Sequence, residues 1–249
     1  MPVIEKHPFI PQPRIYAWFS AVIADDRALL EDLLLHGVPV DVPHPLRHST
    51  ALMEATRLGR ATLVHWLLDH GAAPVFLSGL PLGTPLHCAL RRHHWNIALQ
   101  LAEAMDRCSA ADAYGATPLH VLAAEAFAKE KTQTVRRIAT AAIERACPLD
   151  ALDLEGTTAL HHCVINDLVE LADLLLSHGA NPNVLIPDSH VSALAIAALE
   201  KNTEMAHVLM LYGADPHLKT REGATPLSIY PPLGQLLTPQ HAAHAELLG

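Results

Sequence analysis

The stretch Thr84-Pro85-Leu86-His87 decides the fold, because the same four-residue pattern returns along the chain. Looser or closer copies stand at 50–53, 117–120, 158–161, 192–195 and 225–228. The first residues of successive copies are 34, 33, 41, 34 and 33 positions apart. A fixed period near 33 residues is typical of a repeat architecture, in which each unit packs mainly against its neighbours.

Each residue of the pattern has a physical reason to start a helix. The threonine hydroxyl can accept a hydrogen bond from an unpaired amide of the first turn. Proline at the next place has its φ preset and lacks only an N–H that has no helical partner there. A second, leucine-rich helix follows, and a glycine that fits a left-handed cap closes four of the units, at Gly37, Gly71, Gly179 and Gly213.

The repeated segments resemble the ankyrin repeat family. Residues 112–120 read DAYGATPLH, residues 153–161 read DLEGTTALH, and two units close with Gly179-Ala180-Asn181 and Gly213-Ala214-Asp215. The resemblance covers about residues 16–230. It implies an all-α repeat solenoid, an ankyrin-type stack of helix-turn-helix units joined by hairpin-like fingers. It also implies that the signature histidine binds nearby backbone and ties a finger to the next helix.

The period predicts one domain with degenerate ends. Its expected parts are an extended N-terminal segment at 1–15, an N-terminal capping repeat at 16–49, repeats at 50–83, 84–116, 117–157, 158–191 and 192–224, and a C-terminal cap at 225–249. The proline-rich start is either a loose tail or a strap over the first repeat. The eight extra residues of the fourth unit, near 126–133, either lengthen its helices or form a bulge. A last helix is predicted from Thr238.

Composition limits the class of protein. The formal net charge of −9 argues against binding a nucleic-acid backbone by net charge. No stretch approaches 18 apolar residues and no signal peptide is recognisable, so we expect a cytoplasmic monomer without a membrane span. The four cysteines form no C-x-x-C pair, which favours free buried thiols in a reducing compartment. Few lysines and many alanines and arginines favour a high-GC bacterial genome.

Catalytic signatures are missing from the sequence. There is no phosphate-binding glycine loop, no nucleophile elbow and no H-E-x-x-H zinc motif. We therefore expect no enzyme activity, no cofactor and no metal site. A metal-dependent enzyme built on the 18 histidines is the outlying alternative.

Binding information is expected where the scaffold does not dictate the residue. In the family, the eighth residue of each unit faces the concave groove, and here it reads Arg57, Arg91, Ala124, Ile165 and Leu199. Near the second and third units the groove is predicted to be basic, through Arg57, Arg60, Arg91 and Arg92, with Trp95 close by. This cluster is either a solvated face or a site for an acidic partner segment, because arginine forks suit carboxylates.

The finger tips give a second signal, since they carry apolar residues, among them Phe76, Tyr114 and Ile186. These side chains either contact a partner protein or pack finger on finger. Both signals favour a non-enzymatic protein–protein interaction module that binds through its concave helices and finger tips. The alternatives are an immunity or inhibitor protein that neutralises a toxin or enzyme, and a secreted bacterial effector acting on host proteins.

Overall fold

The protein is an all-α repeat solenoid. The computed structural model describes residues 12–75, 83–108, 111–126 and 132–236. Within these residues the helices are α1 Gln12–Ala24, α2 Arg27–Leu35, α3 Ala51–Arg57, α4 Ala61–Asp69, α5 Pro85–Arg91, α6 Trp95–Ala104, α7 Pro118–Glu125, α8 Thr132–Glu144, α9 Ala159–Ile165, α10 Val169–Ser177, α11 Ala193–Leu199, α12 Thr203–Leu211 and α13 Pro226–Ile229. A 3₁₀ helix at Pro231–Leu236 follows, and an isolated antiparallel bridge joins Leu185 to Ser192.

The helices stack in two rows. The first helices of successive units pack on one another, from α3 through α5, α7 and α9 to α11, and the second helices do the same from α4 to α12. The leucine in the third place of the first five copies lies in the core between units and is at most 2% exposed, at Leu52, Leu86, Leu119, Leu160 and Leu194. The predicted repeat stack is therefore confirmed, with a core that runs continuously along it.

The signature histidines of the third and fourth units tie each unit to the next finger. The backbone N–H of Thr84 donates to Nδ1 of His87 at 3.2 Å, so Nδ1 is the acceptor nitrogen. The proton is then on Nε2, which donates to the carbonyl of Ala116 at 3.0 Å. His120 makes the same pair of contacts and reaches the carbonyl of Thr157 at 3.1 Å. The structural role implied by the family resemblance is confirmed at these two histidines.

The turn between the two helices of a unit needs a residue in the left-handed region. Gly59 fills this place in the second unit with φ +72°, and His93 fills it in the third with φ +56°. A non-glycine residue there is strained by a small amount, which packing must offset. The His93-His94 pair is thus part of the scaffold turn, and it leaves the helix pair of that unit intact.

The extended N-terminal segment predicted at 1–15 is wrong for its last four residues. Helix α1 begins at Gln12 and includes Pro13 in its first turn. Proline is tolerated there because the N–H that it lacks would have no helical acceptor. The tail or strap expected before Gln12 lies outside the described residues.

The insertion in the fourth unit lengthens its second helix. Helix α8 has 13 residues, whereas α4, α10 and α12 have 9 each. Residues 127–131, where a bulge is the other expectation, lie outside the described part of the chain. At the C-terminal end, α13 has 4 residues and stops before Pro231 and Pro232. The helix predicted from Thr238 is also outside the described residues.

Candidate partner-binding groove

The eighth residue of each unit lies at or next to the end of its first helix, on one side of the stack. Counted from the pattern, this row contains Ile23, Arg57, Arg91, Ala124, Ile165 and Leu199. The two arginines are partly buried, whereas Ile165 is 53% and Leu199 is 59% exposed. Equal positions in equivalent units therefore have different environments, and the side chains around them explain why.

Arg57 is bound to a buried carboxylate of its own helix. Its Nε and Nη2 donate to Oε2 of Glu54 at 3.0 and 2.9 Å. The Glu54 side chain is 5% exposed, and its other oxygen accepts from the hydroxyl of Ser49 at 3.0 Å. A buried charge must be paired, so Arg57 compensates Glu54 before it can serve any partner protein.

Arg91 also compensates a buried carboxylate, but that carboxylate belongs to the next finger. Its Nη2 donates to Oδ2 of Asp112, whose side chain is fully buried in the next finger. Oδ1 of Asp112 accepts from the backbone N–H groups of Tyr114 and Ala116 at 2.8 and 3.0 Å. Burial raises the pKa of Asp112, but Arg91 and the two amides outweigh it and hold the pKa below its ordinary value. The guanidinium carbon also lies 5.9 Å from the centre of the Tyr114 ring.

Arg60 is engaged at the other end of the cluster. Its Nη2 donates to the carbonyl of Ile23, and its Nη1 is 3.9 Å from Oδ2 of Asp25. Arg92 is exposed at the end of α5 and lies beside the thiol of Cys88. Three members of the predicted arginine cluster are thus tied to groups of the protein itself. The sequence shows these charges but does not show their internal partners.

The apolar residues predicted from the sequence to bind a partner differ in their exposure. Trp95 is a correction: it is 8% exposed and belongs to the hydrophobic core, because α6 turns its first residue inward. Tyr114 is 58% exposed at a finger tip. Ile186 is half-buried, and Phe76 lies outside the described residues.

Three exposed apolar residues lie on the predicted groove or fingers but were not among the residues predicted to bind a partner. Leu154 is a finger-tip residue with 76% exposure, and Ile165 and Leu199 belong to the concave row. The register of the repeats already placed the last two on the groove, so position alone was a sufficient signal. We call Tyr114, Leu154, Ile165 and Leu199 the apolar row.

A cleft of about 260 Å³ opens between two fingers and the ends of α5 and α7. Its lining includes Arg91, Tyr114, Ala124, Glu125, Leu154 and His162. At its polar end, Nε2 of His162 donates to Oδ2 of Asp153 at 3.0 Å, and the hydroxyl of Thr157 donates to the same oxygen at 2.8 Å. Burial raises the pKa of Asp153, but these hydrogen bonds and the one from the backbone N–H of Thr157 hold the pKa below its ordinary value. The cleft is therefore lined by an arginine, a histidine and apolar side chains, and its polar groups are paired with one another.

In the described ranges 12–75, 83–108, 111–126 and 132–236, no group of three or more His, Cys, Asp or Glu side chains could hold a metal ion. No helix in them has both the length and the apolar character needed to cross a membrane.

Comparison with known proteins identifies the family. The family model described as ankyrin repeats (3 copies) matches residues 18–112, 105–188 and 122–220. The chain belongs to the ankyrin repeat family. Ankyrin repeats indicate a protein–protein interaction module.

The similar proteins and solved structures all contain ankyrin repeats, but they are otherwise different proteins. A putative ankyrin repeat protein of Acanthamoeba polyphaga mimivirus is 22% identical over 84% of this chain, and the neurogenic locus notch homolog protein 1 of Danio rerio is 34% identical over 58%. This chain spans 27% and 6% of their lengths. The ankyrin repeat domain of Bcl-3 is 28% identical, with a TM-score of 0.69 over 86% of this chain and 93% of that one. An ankyrin repeat domain from Acinetobacter baumannii AYE has a TM-score of 0.62 at 21% identity, covering 79% of this chain and 95% of its own.

Proposed function

We propose that this ankyrin repeat protein binds a segment of a partner protein along its concave helices and finger tips. The single observation that supports the site is the apolar row, whose four side chains are between 53% and 76% exposed. Single exposed apolar residues are ordinary, but a set aligned along one face is typical of an interaction surface. Because units stack at roughly 10 Å, neighbouring members can contact one continuous peptide segment.

The partner segment is apolar with basic flanks. Glu155 follows Leu154 in the finger and Glu200 follows Leu199 at the end of α11, and both glutamates are exposed. Lysine or arginine in the partner would meet these carboxylates at the edge of the apolar contact. The acidic segment expected from the sequence has weaker support, because Arg57, Arg60 and Arg91 are held by internal partners, which leaves Arg92 as its main attraction.

The first test is affinity capture from a native extract with a double variant, Ile165→Asp with Leu199→Asp. Both side chains are more than half exposed, so the fold should tolerate the change while the apolar contact is lost. We expect the double variant to retain at least tenfold less of the partner protein than the wild type does. The matched control is Leu29→Asp with Leu35→Asp on α2, which adds the same charges to exposed leucines of a second helix. Equal capture by the wild type and the groove variant would remove the proposal.

The second test reads the partner chemistry. Glu155→Lys with Glu200→Lys should weaken capture and reduce its dependence on salt, because two attractive carboxylates become repulsive. The control pair, Glu170→Lys with Glu204→Lys, changes the net charge equally on the exposed first turns of α10 and α12. Cross-linking with mass spectrometry then gives the bound segment directly. If the bound segment is rich in Asp and Glu, the groove remains the binding site, but the proposal that the partner segment has basic flanks is wrong.

The identity of the captured protein separates the possible biological roles. A toxin or enzyme that loses activity on binding would make this chain a neutralising protein. A host protein captured from host-cell extract would make it an effector, and a component of a larger assembly would make it an adaptor. All three use the same surface and give the same response to the groove variant.

A further inference from the structure

Two cysteines from consecutive units meet beneath the fingers. Cys108 follows α6 and Cys147 follows α8, and the backbone N–H of Cys108 donates to the carbonyl of Arg145 at 2.9 Å. Cys108 is 2% and Cys147 is 4% exposed, and both are free thiols. Their thiols are hydrogen-bonded to one another. A pair 39 positions apart in the chain is therefore in contact in the fold.

Arg145 holds the two segments together. Its Nε donates to the carbonyl of Met105 at 2.6 Å, and its Nη2 donates to the carbonyl of Glu103 at 2.7 Å. The third donor, Nη1, reaches the carbonyl of Ala141 at 3.1 Å within α8. One guanidinium thus joins the end of α6 to the end of α8. This clamp limits how far the two sulfur atoms can separate.

The surroundings of Cys147 favour its thiolate form. Besides the contact with Cys108, its sulfur lies at the N-terminus of α7, where the backbone N–H of Leu119 donates to it and the hydroxyl of Thr117 is beside it. The hydrogen bond with Cys108 lowers the pKa of Cys147, burial raises it, and the polar groups at the start of α7 lower it again, with a net decrease. A thiolate at a helix N-terminus is the reactive form of cysteine. Cys88 and Cys163 differ, since burial raises the pKa of both.

We propose that Cys108 and Cys147 are a reversible oxidation site that forms an intramolecular disulfide when hydrogen peroxide is the oxidant. The Cys147 thiolate attacks the O–O bond, takes up one oxygen as a sulfenic acid and releases hydroxide, which becomes water on protonation. The Cys108 thiol then attacks the Cys147 sulfur and passes its proton to the departing hydroxyl group, which leaves as a second water. Overall, two thiols and one peroxide give one disulfide and two waters.

The disulfide would fix one wall of the groove relative to the other. The finger that follows Cys108 carries Tyr114, and the finger that follows Cys147 carries Leu154. Both residues line the cleft between units. A covalent bond at the base of the two fingers would therefore couple the oxidation state to the rigidity of the apolar row. The site itself does not depend on whether that row binds a partner.

The test is peptide mapping of the native full-length chain after exposure to hydrogen peroxide. Remaining thiols are alkylated in denaturant, and a protease that cleaves after Asp150 is added to trypsin, because the tryptic peptide of Cys147 also contains Cys163. We expect a Cys108–Cys147 cross-linked peptide with the mass of two hydrogens lost, reversed by dithiothreitol, while Cys88 and Cys163 are alkylated. Four alkylated cysteines after peroxide treatment, or pairing with Cys88 or Cys163, would overturn the proposal.

Two variants strengthen the test. In Cys108→Ser the sulfenic acid has no second thiol to attack it, so a dimedone adduct is expected at Cys147 in place of the disulfide. In the matched control, Cys88→Ser with Cys163→Ser, the cross-link should form as in the wild type. The wild-type disulfide closes a long loop and should raise the thermal midpoint by about 5 °C or more, a shift that Cys108→Ser cannot show.

Discussion

Arg91 and Leu199 occupy the same place in their repeats, but the protein uses them in opposite ways. Arg91 neutralises Asp112, which is fully buried in the next finger, and so belongs to the scaffold although it is charged. Leu199 is 59% exposed and belongs to the surface although it is apolar. The difference teaches that charge alone is weak evidence of a binding site in a repeat array. An apolar side chain kept exposed by the register carries more information.

The largest expected effect is a loss of stability at acid pH, which the buried histidines cause and the Arg91–Asp112 ion pair does not. The pKa of both His87 and His161 is lowered to about 4, first by burial. The unfolded chain binds these protons near pH 6.5 and the folded chain only near pH 4, so stability should fall as the pH decreases through this window. Each histidine accounts for on the order of 3 kcal/mol. The pKa of Asp112 is also lowered, so the Arg91–Asp112 pair persists through this range.

Urea unfolding between pH 7 and 4 measures this dependence. His87→Gln should reduce the slope of the unfolding free energy against pH by about one proton, or roughly 1.4 kcal/mol per pH unit. His65→Gln, at a side chain that is 68% exposed on α4, should leave the slope unchanged. An unchanged slope in His87→Gln would mean that other groups govern the acid response.

The second effect tests the scaffold role of Arg91. Arg91→Ala leaves the Asp112 carboxylate buried without its cation, and the free energy of unfolding should fall by about 3 kcal/mol. Arg92→Ala, one residue later on an exposed side chain, should change it by less than about 0.5 kcal/mol. Urea denaturation at pH 7 compares the two. Adding Asp112→Asn to Arg91→Ala should recover part of the loss, since asparagine can still accept from the amides of Tyr114 and Ala116.

A third, smaller effect distinguishes the two paired arginines from each other. Arg57→Ala should cost about 1 kcal/mol, because Glu54 keeps the hydrogen bond from Ser49 and has Arg47 at 3.7 Å. The same urea experiment reports it. A loss as large as that of Arg91→Ala would show that Ser49 and Arg47 do not compensate the glutamate.

The fold could be read from the sequence because repetition averages out local ambiguity. A single Thr-Pro-Leu-His segment is a weak signal, but copies in register fix the helix starts, the buried leucines and the histidine bridges together. The N-terminal start is predicted less well, since the proline-rich stretch indicates an extended segment whereas Pro13 lies in the first turn of α1. The degenerate first repeat lacks the recurring pattern, so the repeat period could not correct the prediction made from its prolines.

The candidate site was only partly predictable, for a physical reason. Whether Arg57 or Arg91 is available depends on acids such as Asp112, 21 positions from Arg91, and on how fully those acids are buried. Trp95 was misread because the first residue of α6 turns into the core. Ile165 and Leu199 were within reach of the repeat register, yet an arginine cluster on an acidic chain was the more conspicuous feature.

The smallest stability effect is expected at the residues that we propose bind the partner. Leu199→Ala should change the free energy of unfolding by less than about 0.5 kcal/mol, because the side chain is mostly exposed and alanine favours the helix. Leu194→Ala, in the same helix at a fully buried leucine, should cost about 2–5 kcal/mol and is the matched comparison. Leu199→Ala should nevertheless weaken capture of the partner protein. If the two variants lose similar stability, Leu199 is part of the core and the apolar row must be redrawn without it.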